Sequence, residues 1–337
     1  MNTSFYRITL LAVALCFVVV TVGAYVRLSD AGLGCPDWPG CYGHIGVPGH
    51  REAVDAANQA FPERPVETGK AWKEMVHRYL AGTLGLLILA LAGMAWLRRE
   101  TVRQRSLATL LLGVVVFQAV LGMWTVTLLL KPLVVTAHLL GGMTVLALLL
   151  LMLLRQGGHL RLAASAGRGL RAAAGVGLAV LICQIFLGAW TSTNYAALAC
   201  PDFPTCQRAW WPETDFATAF TLWHGLGINY EYGILDSVPR ATIHLTHRIG
   251  ALVTAVVLLG VAAVAFARGR LDGRWRLLGG LLVAALCLQI ALGVTTVVAH
   301  LPLAVAVAHN GGAALLLLTV MAINHAAWAG TAPGVRP

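Results

Sequence analysis

The sequence predicts an all-α membrane protein: eight transmembrane helices forming two tandem four-helix bundles, related by a pseudo-twofold axis along the membrane normal. Three observations lead there. The composition is too apolar for a soluble chain. Uncharged stretches long enough to cross a bilayer recur along it. A set of landmarks repeats at a nearly constant offset. Of 337 residues, 58% are hydrophobic and 11% charged, against roughly 25% charged in soluble domains, and the mean hydropathy is +0.76. This excludes a pair of soluble domains and argues against a disordered chain, a secreted disulfide miniprotein and a collagen-like fibre.

A span needs about 20 mostly apolar residues. Ile8–Val26 is the first. It reads as a retained helix rather than a signal peptide, because its basic n-region is only Arg7 and no small-x-small site precedes Arg27. No transit peptide precedes it, which favours a bacterial cell membrane over an organelle. Tyr79–Leu97, Ser106–Leu130, Pro132–Leu154, Ala172–Pro201 and Ile249–Ala267 follow, all without charge. Leu277–Val335 is uncharged but too long for one helix, and it breaks into two at His300-Leu301-Pro302.

Orientation comes from arginine. The loops Arg98–Arg105, Arg155–Arg171 and Arg268–Arg276 each hold four Arg and alternate along the chain. The positive-inside rule makes their side the cytoplasm, so both termini are cytoplasmic. The net charge of +10 is therefore a topology signal, and no nucleic-acid partner is expected. The opposite side carries two short turns, at Lys131-Pro132 and His300-Leu301-Pro302, and two long loops, about Leu28–Ala71 and Ala197–Pro239. Loops of that length are rarely idle.

The duplication is explicit. Gly23-Ala24-Tyr25 leads to Cys35-Pro36-Asp37-Trp38-Pro39-Gly40-Cys41, and Gly188-Ala189-Trp190 to Cys200-Pro201-Asp202-Phe203-Pro204-Thr205-Cys206, at an offset of 165. His77-Arg78 recurs as His247-Arg248, offset 170. Gln118, Leu121-Gly122, Thr125 and His138 recur as Gln289, Leu292-Gly293, Thr296 and His309, offset 171. The chain divides into an N-terminal half, 1–155, with outer loop 28–71, a cytoplasmic linker, 156–171, and a C-terminal half, 172–337, with outer loop 197–239.

Ionisable groups inside a span are costly and usually functional. With helices starting near Ala71, Pro132, Arg240 and Pro302, His77, His138, His247 and His309 all lie about 10 Å below the outer surface at 1.5 Å per residue. Each half thus offers two imidazoles at matched depth, on its second and fourth spans. Two imidazoles facing across a bundle suit haem iron, whereas Zn or Cu would want three or four ligands. A lone buried histidine is more often a packing residue, but four at duplicated positions reverse that. Gly141-Gly142 and Gly311-Gly312 permit close approach of a ring or of another helix. Arg78 and Arg248 reach haem propionates or simply snorkel to the interface.

The halves differ at Glu74, three residues before His77 and on nearly the same helix face; the matching position holds His244. Glu74 is a candidate acid, base or charge stabiliser, which would give one half the chemistry and the other a redox cofactor. Otherwise it is a first-turn acid favoured by the helix dipole. Cys16, Cys183 and Cys287 fall inside apolar spans and read as inert core thiols. The outer side is oxidising, so Cys35 and Cys41, and Cys200 and Cys206, are expected to form a disulfide in each long loop, either as staples or as redox-active pairs.

The loop Gly32–Cys41, the run Glu74-Met75-Val76-His77-Arg78, the run His138-Leu139-Leu140-Gly141-Gly142, His247-Arg248 and His309 together resemble the haem A synthase family over nearly the whole chain. The resemblance implies an oxidoreductase that converts the C8 methyl of haem O to the formyl of haem A for terminal oxidase assembly, through an alcohol and a gem-diol that loses water. It implies that His77 and His138 bind the substrate haem with Glu74 beside the reacting methyl, and that His247 and His309 hold a haem b. Haem O synthase and an outer-side thiol–disulfide protein, acting on Cys35 and Cys41, are the implied partners. Two rivals remain: a diheme b-type electron-transfer subunit, and a haem transporter.

Overall fold

The computed structural model describes residues 3–157, 167–270 and 272–329. Among them, eight helices are long and apolar enough to cross a membrane: α1 (Thr3–Leu28), α3 (Thr68–Leu97), α4 (Arg105–Thr127), α5 (Pro132–Gly157), α6 (Gly167–Thr193), α8 (Ser237–Arg268), α9 (Gly273–Val298) and α10 (Leu303–Trp328). Two short helices, α2 (Arg51–Ala60) and α7 (Phe216–Ala219), lie in the long loops. Pro132 opens α5, where its missing N–H costs nothing. Asp272 caps α9 by accepting from the Arg274 N–H at 3.0 Å. The linker expected at 156–171 lies mostly outside the described residues, Arg161 included, as does the end of the C-terminal half beyond residue 329.

Helices α1, α3, α4 and α5 contact one another in a closed ring, in the order α1–α3–α4–α5. Helices α6, α8, α9 and α10 do the same. In each ring the two histidine-bearing helices, α3 and α5 or α8 and α10, stand diagonally opposite. The rings meet through α1 against α10 and through α5 against α6 and α10. One continuous apolar core runs through both. Ile88, Leu111, Leu146 and Met152 fill the first ring, and Leu181, Leu258, Leu282 and Leu317 the second. Leu86, Phe117, Leu252 and Val256 remain exposed on the outside, as helices facing lipid require.

Two expectations need correction. α3 and α8 begin at Thr68 and Ser237, about a turn before Ala71 and Arg240. The extra turn of α3 carries Lys70, paired with Glu67 at 3.0 Å, which apolarity cannot reveal. His77 and His247 therefore lie about 14 Å along their helices, while His138 and His309 lie about 9 Å along theirs. Of the three thiols read as core, only Cys16 is buried. Cys183 and Cys287 are exposed, because residence in an apolar span does not fix which face a residue takes.

The second long loop reaches back over the first ring. Tyr230 N–H donates to the Leu129 carbonyl at 3.0 Å, and Arg64 pairs with Glu231 at 2.8 Å. Lys131 is 1% exposed; its ammonium sits 3.0 Å from the centre of the Trp223 ring and donates to the Gly225 carbonyl. Arg27 donates to the Ser192 carbonyl at 2.7 Å and lies 4.0 Å from the Tyr195 ring centre. With the Trp223 ring more than half exposed, this cation–π contact is worth about 1 kcal/mol. Trp223→Ala is therefore expected to destabilise the protein by about that amount in thermal unfolding and to expose 220–233 to limited proteolysis. Unchanged cleavage there would show that the segment is held by other contacts.

Candidate functional site

The four intramembrane histidines share one construction: each imidazole packs on a glycine of the neighbouring helix. A Cβ placed on Gly23 of α1 would lie 2.9 Å from His77 Cε1, and one on Gly122 of α4 3.4 Å from His138 Cε1. In the second ring, Gly188 of α6 would lie 3.1 Å from His247 Cε1, and Gly293 of α9 2.9 Å from His309 Cε1. These are the glycines that recur at offsets of 165 and 171. A methyl on Gly23 or Gly293 would collide with the imidazole, one on Gly188 would crowd it, and one on Gly122 would meet it at ordinary contact distance. The two imidazoles of each ring of helices come from diagonally opposite helices. The Nδ1 atoms of His77, His138 and His309 are buried with no hydrogen-bond partner.

Both expected disulfides are formed, Cys35–Cys41 and Cys200–Cys206. Each closes a small knot in which Cys41 N–H donates to the His44 carbonyl at 2.8 Å, and Cys206 N–H to that of Ala209 at 2.9 Å. The Asp37 carboxylate accepts from the N–H groups of Tyr42 at 2.6 Å and Gly43 at 2.7 Å. Asp202 does the same for Gln207 at 2.6 Å and Arg208 at 3.0 Å. The Thr205 hydroxyl and these N–H donors hold Asp202 below the usual carboxylate range. The knot is thus charge-assisted at neutral pH, and that support is lost only as pH falls through the lowered value. All four sulfurs are buried, so an attacking thiolate has no path to them while the knot is closed. That favours the staple reading.

The knots are pinned to the histidine helices by the residues singled out beside the histidines. Glu74 is 4% exposed and accepts from the Cys35 N–H at 2.9 Å. His244, also 4% exposed, accepts from the Cys200 N–H at 3.4 Å. The two side chains do one job with different charge. Glu74 lies beyond the first turn of α3, so a helix-dipole role does not account for it; the dipole effect fades within a turn. Arg78 donates to the carbonyls of Asp37 at 3.0 Å and Gly40 at 2.5 Å and pairs with Glu74. Arg248 donates to the carbonyls of Asp202 at 2.9 Å, Thr205 at 2.8 Å and Cys200 at 2.8 Å, and its Nε lies 3.2 Å from His244 Nε2. Here both guanidinium groups bind the loops, a role the sequence could not show because the acceptors are backbone carbonyls.

Fold and site define an all-helical, multi-pass membrane protein with two pairs of intramembrane imidazoles, each beneath a disulfide-closed loop. Over residues 6–321 the chain matches the COX15-CtaA family of cytochrome oxidase assembly proteins, and it belongs to that family. It is 48% identical over 323 residues to a haem A synthase of Shewanella oneidensis, covering 96% of this chain and 95% of the relative. It is 30% identical to a haem A synthase of Caulobacter sp. over 90% of each chain. A haem A synthase of Bacillus licheniformis is 26% identical, over 88% of this chain and 87% of its own length.

Gly23→Ala and Gly293→Ala force a methyl into an imidazole. They are expected to cost about 1–3 kcal/mol of stability through overpacking, measured by thermal unfolding. Gly85→Ala, in α3 with open space around it, should leave stability unchanged or raised. Equal effects at all three positions would remove the close ring–glycine contact from the account.

Proposed function

We propose that the chain is a haem A synthase: an oxidoreductase of the bacterial cell membrane, with cytoplasmic termini, that oxidises the C8 methyl of haem O to a formyl group. The observation that carries this is the diagonal pair of partly buried imidazoles in each helix ring, joined to 48% identity with a haem A synthase over nearly the full length. The site fits a haem. Its imidazoles come from diagonal helices, and three orphan Nδ1 atoms leave the rings short of partners.

In this reading the chain works as two tandem halves, 1–155 and 172–337. His77 and His138 would hold the substrate haem O, and His247 and His309 would hold a haem b. A bound haem b supplies a one-electron redox centre. The protein orients the macrocycle through paired imidazoles, and the loop knots close the outer end of each ring. Glu74, one turn from His77, supplies a negative charge where His244 supplies none. The methyl carbon loses four electrons on its way to the aldehyde, and these must pass to an external electron acceptor. A fixed carboxylate beside it stabilises the positive charge that develops or positions water, an effect worth several kcal/mol in a dry site. Arg78 and Arg248 hold the knots through their backbone carbonyls. Haem O synthase is the proposed donor of substrate. An outer-side thiol–disulfide protein would act on Cys35 and Cys41 only after the knot lifts from α3.

The test is expression in a host that makes haem O, followed by mass spectrometry of the haems bound to the purified protein. Haem A or the alcohol intermediate is expected beside haem B. Haem B alone, with haem O unchanged, would contradict the proposal and leave an electron-transfer protein. Glu74→His keeps a ring nitrogen for the Cys35 N–H, as in the second half, but removes the charge. It is expected to retain both haems and lower formation of haem A by about 100-fold or more. Wild-type turnover in that variant would make Glu74 a loop anchor only.

A further inference from the structure

Three of the four histidine sites carry a second element that the fourth lacks. In α4 and α5, Gln118 lies four residues before Gly122, and its amide fills the space over Gly141, three residues after His138. In α9 and α10, Gln289 lies four residues before Gly293 and fills the space over Gly312, three after His309; its Nε2 is 3.5 Å from the His309 ring. In α6 and α8, Gln184 lies four residues before Gly188 and fills the space over Gly250, three after His247. Its Nε2 is 3.0 Å from His247 Nδ1 and donates to the His247 carbonyl at 3.1 Å. The motif is Gln-x3-Gly on one helix against His-x2-Gly on the next. At His77 the glutamine is Val19 and the glycine is Leu80, while Gly23 is kept. Both changes occur together. His247 Nδ1 has an amide partner, at 3.0 Å, whereas the Nδ1 atoms of His77, His138 and His309 are buried and unpartnered.

A ligating imidazole binds iron through one nitrogen and carries a proton on the other. A primary amide offers an acceptor and a donor, so it serves the ring in either tautomer. Partners of this kind fix ring orientation and raise ligand basicity. The Oε1 atoms of Gln184 and Gln289 are buried acceptors with no donor, beside rings that need one when ligating. Resting on the two-haem reading above, we infer that Gln184 is a positioning residue that makes the C-terminal haem resident, and that the Val19/Leu80 pair makes His77 the weak ligand, so that haem in the N-terminal site exchanges. An enzyme that takes in haem O and gives out haem A needs one site that lets go and one that does not. The amide pattern supplies that difference within a single chain.

The test compares the purified haem-loaded protein with Gln184→Met, Gln184→Glu, the double variant Val19→Gln/Leu80→Gly, and His247→Ala as the ligation control. Three readouts are independent of turnover: the rate of haem transfer to excess apomyoglobin, with mass spectrometry identifying which haem leaves; the ferric low-spin EPR spectrum; and the haem midpoint potential. In the wild type, haem O or A is expected to leave faster than haem B. Gln184→Met should speed loss of haem B about 10–100-fold and raise its potential, since a less basic imidazole stabilises ferric iron less. Gln184→Glu should restore retention. Val19→Gln/Leu80→Gly should slow release from the N-terminal site by a similar factor. Haem B release and EPR unchanged in Gln184→Met, with His247→Ala still losing haem B, would overturn the inference while leaving ligation intact. Haem B retained in His247→Ala would overturn the ligation reading and the inference with it. Should Gln184→Met fail to fold, unchanged release in the double variant decides against the proposal.

Discussion

An imidazole carried into a membrane bundle must find both room and a polar partner where little of either exists. This protein solves the first problem the same way four times, by bringing a glycine of the next helix against the ring. That contact sets helix spacing and makes α1, α4, α6 and α9 the necessary neighbours of the histidine helices. It also places the two imidazoles of each ring on diagonal helices, where they can face one another. The loop geometry follows from the same helices. Glu74, His77 and Arg78 lie on one helix face by their spacing, as do His244, His247 and Arg248. The side chains that pin each disulfide knot are thus a turn or less from the imidazole, and each knot caps the end of its own site.

Within that common frame the differences between the halves acquire meaning. Glu74 and His244 hold equivalent cysteine N–H groups, so a role in anchoring the loop cannot explain why one is a carboxylate. The charge is what remains to be accounted for, and it stands beside the histidine that lacks an amide brace. The braced and uncharged site is suited to keeping a cofactor. The ring in which His77 lacks the amide and Glu74 stands three residues away is, in the proposed reading, suited to receiving, altering and releasing one.

Much of this was legible in the sequence. Eight spans follow from hydropathy, because a bilayer leaves a chain few alternatives. The histidine pairs and disulfides follow from duplication and compartment. Less legible was where α3 and α8 begin, since their first turns are polar and stand clear of the apolar window. The helix Arg51–Ala60 also carried no hydropathy signal. The facing of Cys183 and Cys287 and the loop contacts of Arg78 and Arg248 depend on tertiary packing alone. Gln118 and Gln289 were visible as landmarks of the repeat, but their link to the histidines was not, because the contact crosses helices. Gln184 is not a repeated residue, because its counterpart is Val19. The informative signal there was a break in the repeat.

The central claim is that four imidazoles hold two haems, one in each helix ring. Haem-to-protein stoichiometry, measured on the purified wild type and on His77→Ala and His247→Ala with haem O supplied, tests it most directly. The account predicts two haems per chain in the wild type, loss of haem O or its products in His77→Ala, and loss of haem B in His247→Ala. One haem per chain, or both haems retained in either variant, would contradict it.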